Sequence, residues 1–246
     1  LDLNIQKYVS VDFYALAEAV DALGGIELDI TDEEASYMNG VGGYIAMTAE
    51  ITGRKGGNVS VGHQTVNGVQ AVAYCRIRYT ASLDMGRTER QRRVLGMLFD
   101  KAKIAGLSSI FKIMDDVFPM VTTSMDKTEI LQMLPTLIGY SVNDTTGFPS
   151  SFKFSNVKGS VIVPTSLESN VIELHKFLYD DPNYTPSATV LANSQRILEI
   201  VGGEASLDDT QKVTEENSAN DTVIYENNGT TWENTAGSDD SGSNDN

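Results

Sequence analysis

Residues 8–31 read YVSVDFYALAEAVDALGGIELDIT, and this stretch decides the fold class. Lys7–Val11 (KYVSV) has the β-branched character of a strand. Asp12 then stands where a carboxylate caps the first turn of a helix. Phe13, Leu16, Ala17, Val20 and Leu23 recur at helical spacing. Gly24-Gly25 ends that helix, and Ile26–Ile30 (IELDI) is the next strand. A strand, a helix and a strand in that order favour an α/β sheet protein.

Towards the C-terminus, Thr31 and Glu34 form a capping box for a short helix. Gly40 to Gly57 holds six glycines and little periodicity, which predicts a long surface loop or an irregular hairpin. Asn67 reads as the N-cap of a helix containing Gln70, Ala71, Val72, Ala73 and Tyr74. Helices are predicted over Ser108–Val117, from a cap at Asp126 to about Tyr140, over Glu168–Leu178 and over Ala188–Val201. Gly202-Gly203 stops the last of these. Ser151–Val157 alternates like a strand.

Charge is unevenly distributed. The 246 residues hold 34 acids and 18 bases, for a formal net charge of −16. From Glu204 onward there are eleven acids and one lysine, a net of −10. Residues 1–203 are therefore read as the folded part. Residues 204–246, rich in Asn, Ser, Thr and Gly, are expected to be a disordered acidic tail. Ile224, Tyr225 and Trp232 are its candidate docking residues. One cysteine, Cys75, excludes an internal disulfide framework and a thiolate zinc site. His63 and His175 lack metal-ligand spacing. The chain opens LDLNIQKYVSV with neither an initiator Met nor a run of about 18 apolar residues, and it reads as part of a longer protein.

Against this acidity, six of the eight arginines fall between Arg76 and Arg93, in RIRYTASLDMGRTERQRR. If Arg76 and Arg78 lie on an extended segment, both project to one side, with Cys75 and Ile77 on the other. On a helix, Arg87 shares a face with Gln91, Val94 and Leu98, flanked by Arg90. Arg92 and Arg93 fall on the opposite, solvated side. Arg76, Arg78, Arg87 and Gln91 could thus converge near the first turn of a helix, whose positive end adds to the field. Guanidinium forks match phosphate oxygens in pairs, so a phosphate or pyrophosphate is the expected anion. A purely structural ion-pair network, with Asp84 and Glu89 as counter-charges, explains the composition equally well. Nucleic acid is disfavoured by the net charge and by the absence of a recognition module.

VNGVQAVAYCRIRY (66–79) followed by DMGRTERQRRVL (84–95) resembles the signature of the LytR–CpsA–Psr family of bacterial cell-envelope proteins. Residues 8–31 are similar to the same family's β-α-β segment. DDPNYTPSATV (180–190) is similar to a stretch that often follows in Firmicutes members. The resemblance implies a three-layer α/β/α sandwich with a central mixed sheet and a hydrophobic tunnel for a polyprenyl chain. It also implies a phosphotransferase on the extracellular face of the cytoplasmic membrane, held by an N-terminal anchor. Such an enzyme moves a teichoic-acid- or capsule-type glycopolymer from undecaprenyl pyrophosphate to peptidoglycan. By match, Arg76, Arg78, Arg87 and Gln91 contact the pyrophosphate, with Arg90 and Asp84 in support. Leu95, Leu98 and Ile110 are candidate tunnel walls, though for any one of them ordinary core is the better reading.

The family's magnesium-holding carboxylates have no match in this chain, so Mg2+ ligands are expected upstream of Leu1. Two other readings remain open. One is a non-catalytic module that binds lipid-linked phosphate. The other is a nucleic-acid-binding regulator, which would depend on Arg92 and Arg93.

Overall fold

The strand β1 (Val9–Val11) and the strand β2 (Ile26–Ile30) flank the helix α1 (Phe13–Ala22), in the order that the opening stretch dictates. Asp12 Oδ1 accepts from the Ala15 N–H at 2.8 Å, so the cap is made. Ala15, Ala17 and Val20 turn the buried side of α1 into the core, and Gly24 and Gly25 leave the helix at φ +76° and +86°. In β2, Ile26, Leu28 and Ile30 are buried while Glu27 and Asp29 face out, the alternation of a strand covered on one side. The structure, a computed structural model, describes residues 1–78, 83–139, 144–155, 157, 161–202 and 211–212.

The two strands do not pair with each other. β2 pairs antiparallel with β3 (Gly62–Val66), and β1 pairs antiparallel with β4 (Val121–Thr123). The mixed α/β class stands, and every ladder among the described residues is antiparallel. Thr31 and Glu34 form their capping box at the start of α2 (Asp32–Met38).

The segment expected as a glycine-rich loop contains a helix, α3 (Tyr44–Thr52). Its glycines punctuate the helix and do not interrupt it. Gly43 stands at the N-cap and Gly53 closes the C-terminus at φ +65°. Tyr44, Ile45, Thr48 and Thr52 are buried against neighbouring helices, and two threonines on that inner face blur the apolar period.

Asn67 and Gln70 form a reciprocal capping box at the start of α4 (Gly68–Arg76), whose residues from Gly68 to Cys75 are all buried. This helix is the centre of the unit. Gly68 lies so close to α1 that an added Cβ would stand 2.0 Å from the Ala17 carbonyl oxygen.

The long helix α5 (Leu83–Val117) is broken at Gly106, where the backbone leaves helical geometry at φ +77°. A short 3-10 turn, Phe118–Met120, leads into β4. Then α6 (Lys127–Gly139) begins with Asp126 Oδ1 accepting from the Glu129 N–H at 2.8 Å.

The chain divides into two compact units, one holding Leu1–Gly147 and the other beginning at Phe148. In the second, β5 (Ser151–Ser155) pairs antiparallel with β6 (Val161–Pro164), beside α7 (Leu167–Tyr179) and α8 (Ala188–Val201). Asn170 ties β5 to α7. Its Nδ2 donates to the carbonyls of Ser151 and Ser166, and its Oδ1 accepts from the Ser151 N–H at 2.9 Å. Within the DDPNYTPSATV stretch, Tyr184 stacks on the buried His175 with ring centroids 3.6 Å apart. A strand β7 (Gln211–Lys212) pairs antiparallel with β5. The rest of the expected acidic tail, with Ile224, Tyr225 and Trp232, lies outside the described residues.

Candidate functional site

Arg76 is the last residue of α4, and Ile77 is its C-cap at φ −57°, ψ 126°. The extended segment expected at Arg76–Arg78 is thus a helix end. The reason is that α4 is buried on every side, so its burial carries no two-residue alternation and the helix runs on to Arg76. Ile77 is fully buried between the two arginines, and Arg78 is exposed.

Arg76 reaches away from the helix end onto α3 and α1. Its Nη1 donates to Thr48 Oγ1 at 2.8 Å. Its guanidinium carbon lies 4.9 Å from the Phe13 ring centroid and 5.9 Å from that of Tyr44. Thr48 and Tyr44 are buried one turn apart on α3, while Phe13 is 41% exposed. Arg76 is half-buried and forms no ion pair with any described carboxylate.

On α5 the expected facing is rotated. The helix begins at Leu83, so Arg87 and Gln91 stand beyond its first turn and not at its positive end. Arg87 is half-buried, and Gln91 is exposed, with Nε2 3.5 Å from the Cys75 carbonyl oxygen. Arg90 is the inward residue, 8% exposed, donating through Nε to Glu34 Oε1 at 2.8 Å. The second oxygen of Glu34 accepts the Thr31 N–H at the start of α2. Arg90 also lies over the fully buried ring of Tyr74, whose hydroxyl accepts from Arg93 Nη1 at 3.0 Å.

Arg92 and Arg93, expected on a solvated face, are both half-buried, and Arg92 pairs with Glu89. The helical wheel gave the spacing of these residues but not its phase, which the position of Tyr74 and Glu34 sets. The Asp84 side chain lies outside the described residues.

Cys75, just before Arg76, is buried, and its thiol pKa is pushed up to about 12 by burial, against a smaller opposing effect of the Arg90 charge. A buried thiol held protonated in this way is a poor nucleophile.

The expected tunnel walls separate. Leu98 is partly buried and packs with Met97 against the core cluster, Ile110 is half-buried, and Leu95 is 59% exposed. An apolar cleft of about 240 Å³ lies within the second unit, between β6 and α8, lined by residues including Val161, Val163, Ile197 and Val201.

Among the described residues, no group of three or more His, Cys, Asp or Glu side chains could hold a metal ion. Among them too, no helix is long and apolar enough to cross a membrane.

The LytR_cpsA_psr family model matches residues 1–151. The chain belongs to the LytR_cpsA_psr family. The match ends close to the boundary between the two units at Gly147.

The LytR_cpsA_psr chain is 26% identical over 196 residues to the polyisoprenyl-teichoic acid–peptidoglycan teichoic acid transferase TagV of Bacillus subtilis, covering 77% of this chain and 46% of that one. It is 31% identical over 149 residues to biofilm regulatory protein A of Streptococcus mutans, covering 57% and 32%. It therefore spans less than half the length of these two curated relatives. Among solved structures, a transcriptional regulator from Enterococcus faecalis superimposes with a TM-score of 0.56 at 19% identity, covering 85% of this chain and 70% of that one. The α/β architecture expected from residues 8–31 is thus the fold of the LytR_cpsA_psr family.

Proposed function

We propose that the protein serves in the transfer of a teichoic-acid- or capsule-type glycopolymer from a polyprenyl pyrophosphate carrier to peptidoglycan, at the outer face of the cytoplasmic membrane. The observation that carries this reading is Arg76, which is held in place without being neutralised. Thr48, Phe13 and Tyr44 fix its guanidinium, and no described carboxylate cancels its charge. Similarity to a teichoic acid transferase supports the substrate class.

In such a transfer, a hydroxyl oxygen of the acceptor bonds to the phosphorus that carries the glycopolymer. The bridging bond to the carrier phosphate breaks, and negative charge gathers on the leaving oxygens. Preplaced cations lower that barrier by meeting the charge where it develops. Arg76 and Arg78 at the end of α4, with Arg87 and Gln91 on α5, are the groups assigned to the pyrophosphate. Arg90 and Asp84 are assigned supporting roles, and Arg90 acts through its pairing with Glu34.

Calorimetric titration with farnesyl pyrophosphate, and separately with inorganic pyrophosphate, tests the assignment. Arg76→Ala and Arg78→Ala are each expected to weaken binding at least about tenfold, as loss of a charged hydrogen-bonding partner does. Affinities equal to wild type would overturn the site.

A further inference from the structure

Three arginines among the described residues sit in ion pairs that contrast with the setting of Arg76. Arg54 pairs with Glu18 at 2.7 Å and Asp21 at 3.3 Å, Arg90 pairs with Glu34 at 2.8 Å, and Arg92 pairs with Glu89. Each of these guanidinium groups has its charge answered by a carboxylate. Arg76 has a neutral hydroxyl and two ring faces in their place. A carboxylate at the Thr48 position would orient Arg76 just as well, but it would compete with any incoming anion for the same charge. A threonine hydroxyl takes one N–H and leaves the net charge, and the other N–H donors of the fork, for a ligand.

We infer that Thr48, on α3, is a positioning residue for Arg76, fixing the direction of the guanidinium towards the phosphate oxygens while leaving its charge uncompensated. This deepens the proposed function and rests on it. Thr48 is fully buried, and the hydroxyl of Thr52 donates to its backbone carbonyl at 2.8 Å in the last turn of α3. The acceptor therefore sits on a fixed helix face. Tyr44, one turn earlier and also buried, presents its ring to the same guanidinium, and Phe13 presents a second ring from α1. Cation–π contacts of this kind hold a cation in place without supplying an opposite formal charge. The glycines that bound α3 thus deliver a helix whose inner face serves the arginine at the end of α4.

The test is a double-mutant cycle on the chain as described, read by titration with inorganic pyrophosphate. Thr48→Val keeps the branched shape and removes the acceptor; it is expected to weaken binding about tenfold. Thr48→Ser restores the hydroxyl and is expected to bind within about twofold of wild type. In an Arg76→Ala background, Thr48→Val is expected to cause no further loss, because its effect passes through Arg76. A residue that merely stabilised the fold would show additive losses and no rescue by serine.

Wild-type affinity in Thr48→Val, or full additivity with Arg76→Ala, would overturn the inference while leaving the pyrophosphate site standing. Absence of pyrophosphate binding by the wild-type chain would overturn both. If Thr48→Val fails to fold, Phe13→Leu tests the same cradle at a half-exposed position. A loss of about twofold to fivefold is expected from removing one cation–π face, and wild-type affinity would count against the cradle.

Discussion

Arg90 and Glu34 form a buried pair, and such a pair is informative through what happens when one member goes. Glu34 is almost fully buried, with one oxygen on Arg90 Nε and the other on the Thr31 N–H. Glu34→Ala would remove the Glu34 counter-charge from the buried Arg90 and loosen the start of α2 together. We expect a loss of about 3–5 kcal/mol, measured by urea unfolding. Cys75 yields a prediction with a defined pH window. Its thiol is raised from 9.0 to about 12, so the folded state holds that proton more tightly than the unfolded chain. The associated stability is complete below about pH 9 and is lost as pH rises towards 12. Unfolding midpoints of wild type and Cys75→Ala, compared across that window, should show a steeper decline for wild type. Sequence made the arginine cluster legible as a cluster. It could not separate Arg90 from Arg87, because neighbouring helix residues are distinguished only by what stands opposite them.

Elements with strong local punctuation were legible. Asp12, Thr31, Asn67 and Asp126 each cap the helix that they announced. The helix α3 was not legible, because glycine at its ends reads like glycine in a loop, and because Thr48 and Thr52 fill core positions where an apolar residue would have marked the period. β3 was missed for a similar reason, since only Val66 of its five residues is buried. The packing of α4 on α1 is likewise invisible locally, yet it makes the sharpest element-scale prediction. A Cβ at Gly68 would stand 2.0 Å from the Ala17 carbonyl oxygen, which is backbone and cannot rotate aside. Gly68→Ala should cost about 3 kcal/mol or more by forcing the two helices apart. Thermal unfolding checks this, and a loss below about 1 kcal/mol would mean that the helices separate easily.

At the scale of the whole chain, the family match and the first unit end within a few residues of one another, at 151 and 147. No composition shift marks that boundary in the sequence, which reads without interruption to Gly203. The second unit has its own internal bracing through Asn170, whose side chain serves both β5 and α7. Asn170→Ala takes the acceptor from the half-buried Ser151 N–H and removes the side-chain link between β5 and α7, at a cost of about 1–3 kcal/mol. Hydrogen exchange should show the loss of protection concentrated in β5 and α7, with α1 and α4 unchanged.

The cradle around Arg76 has a consequence for how the environment tunes the protein. A carboxylate neighbour would free the arginine in acid and occupy it at neutral pH, making its availability a function of proton concentration. Around Arg76 stand instead a threonine hydroxyl and two aromatic rings, none of which brings a formal counter-charge. The contribution of Arg76 to anion capture should therefore answer to ionic strength, through screening of its open charge.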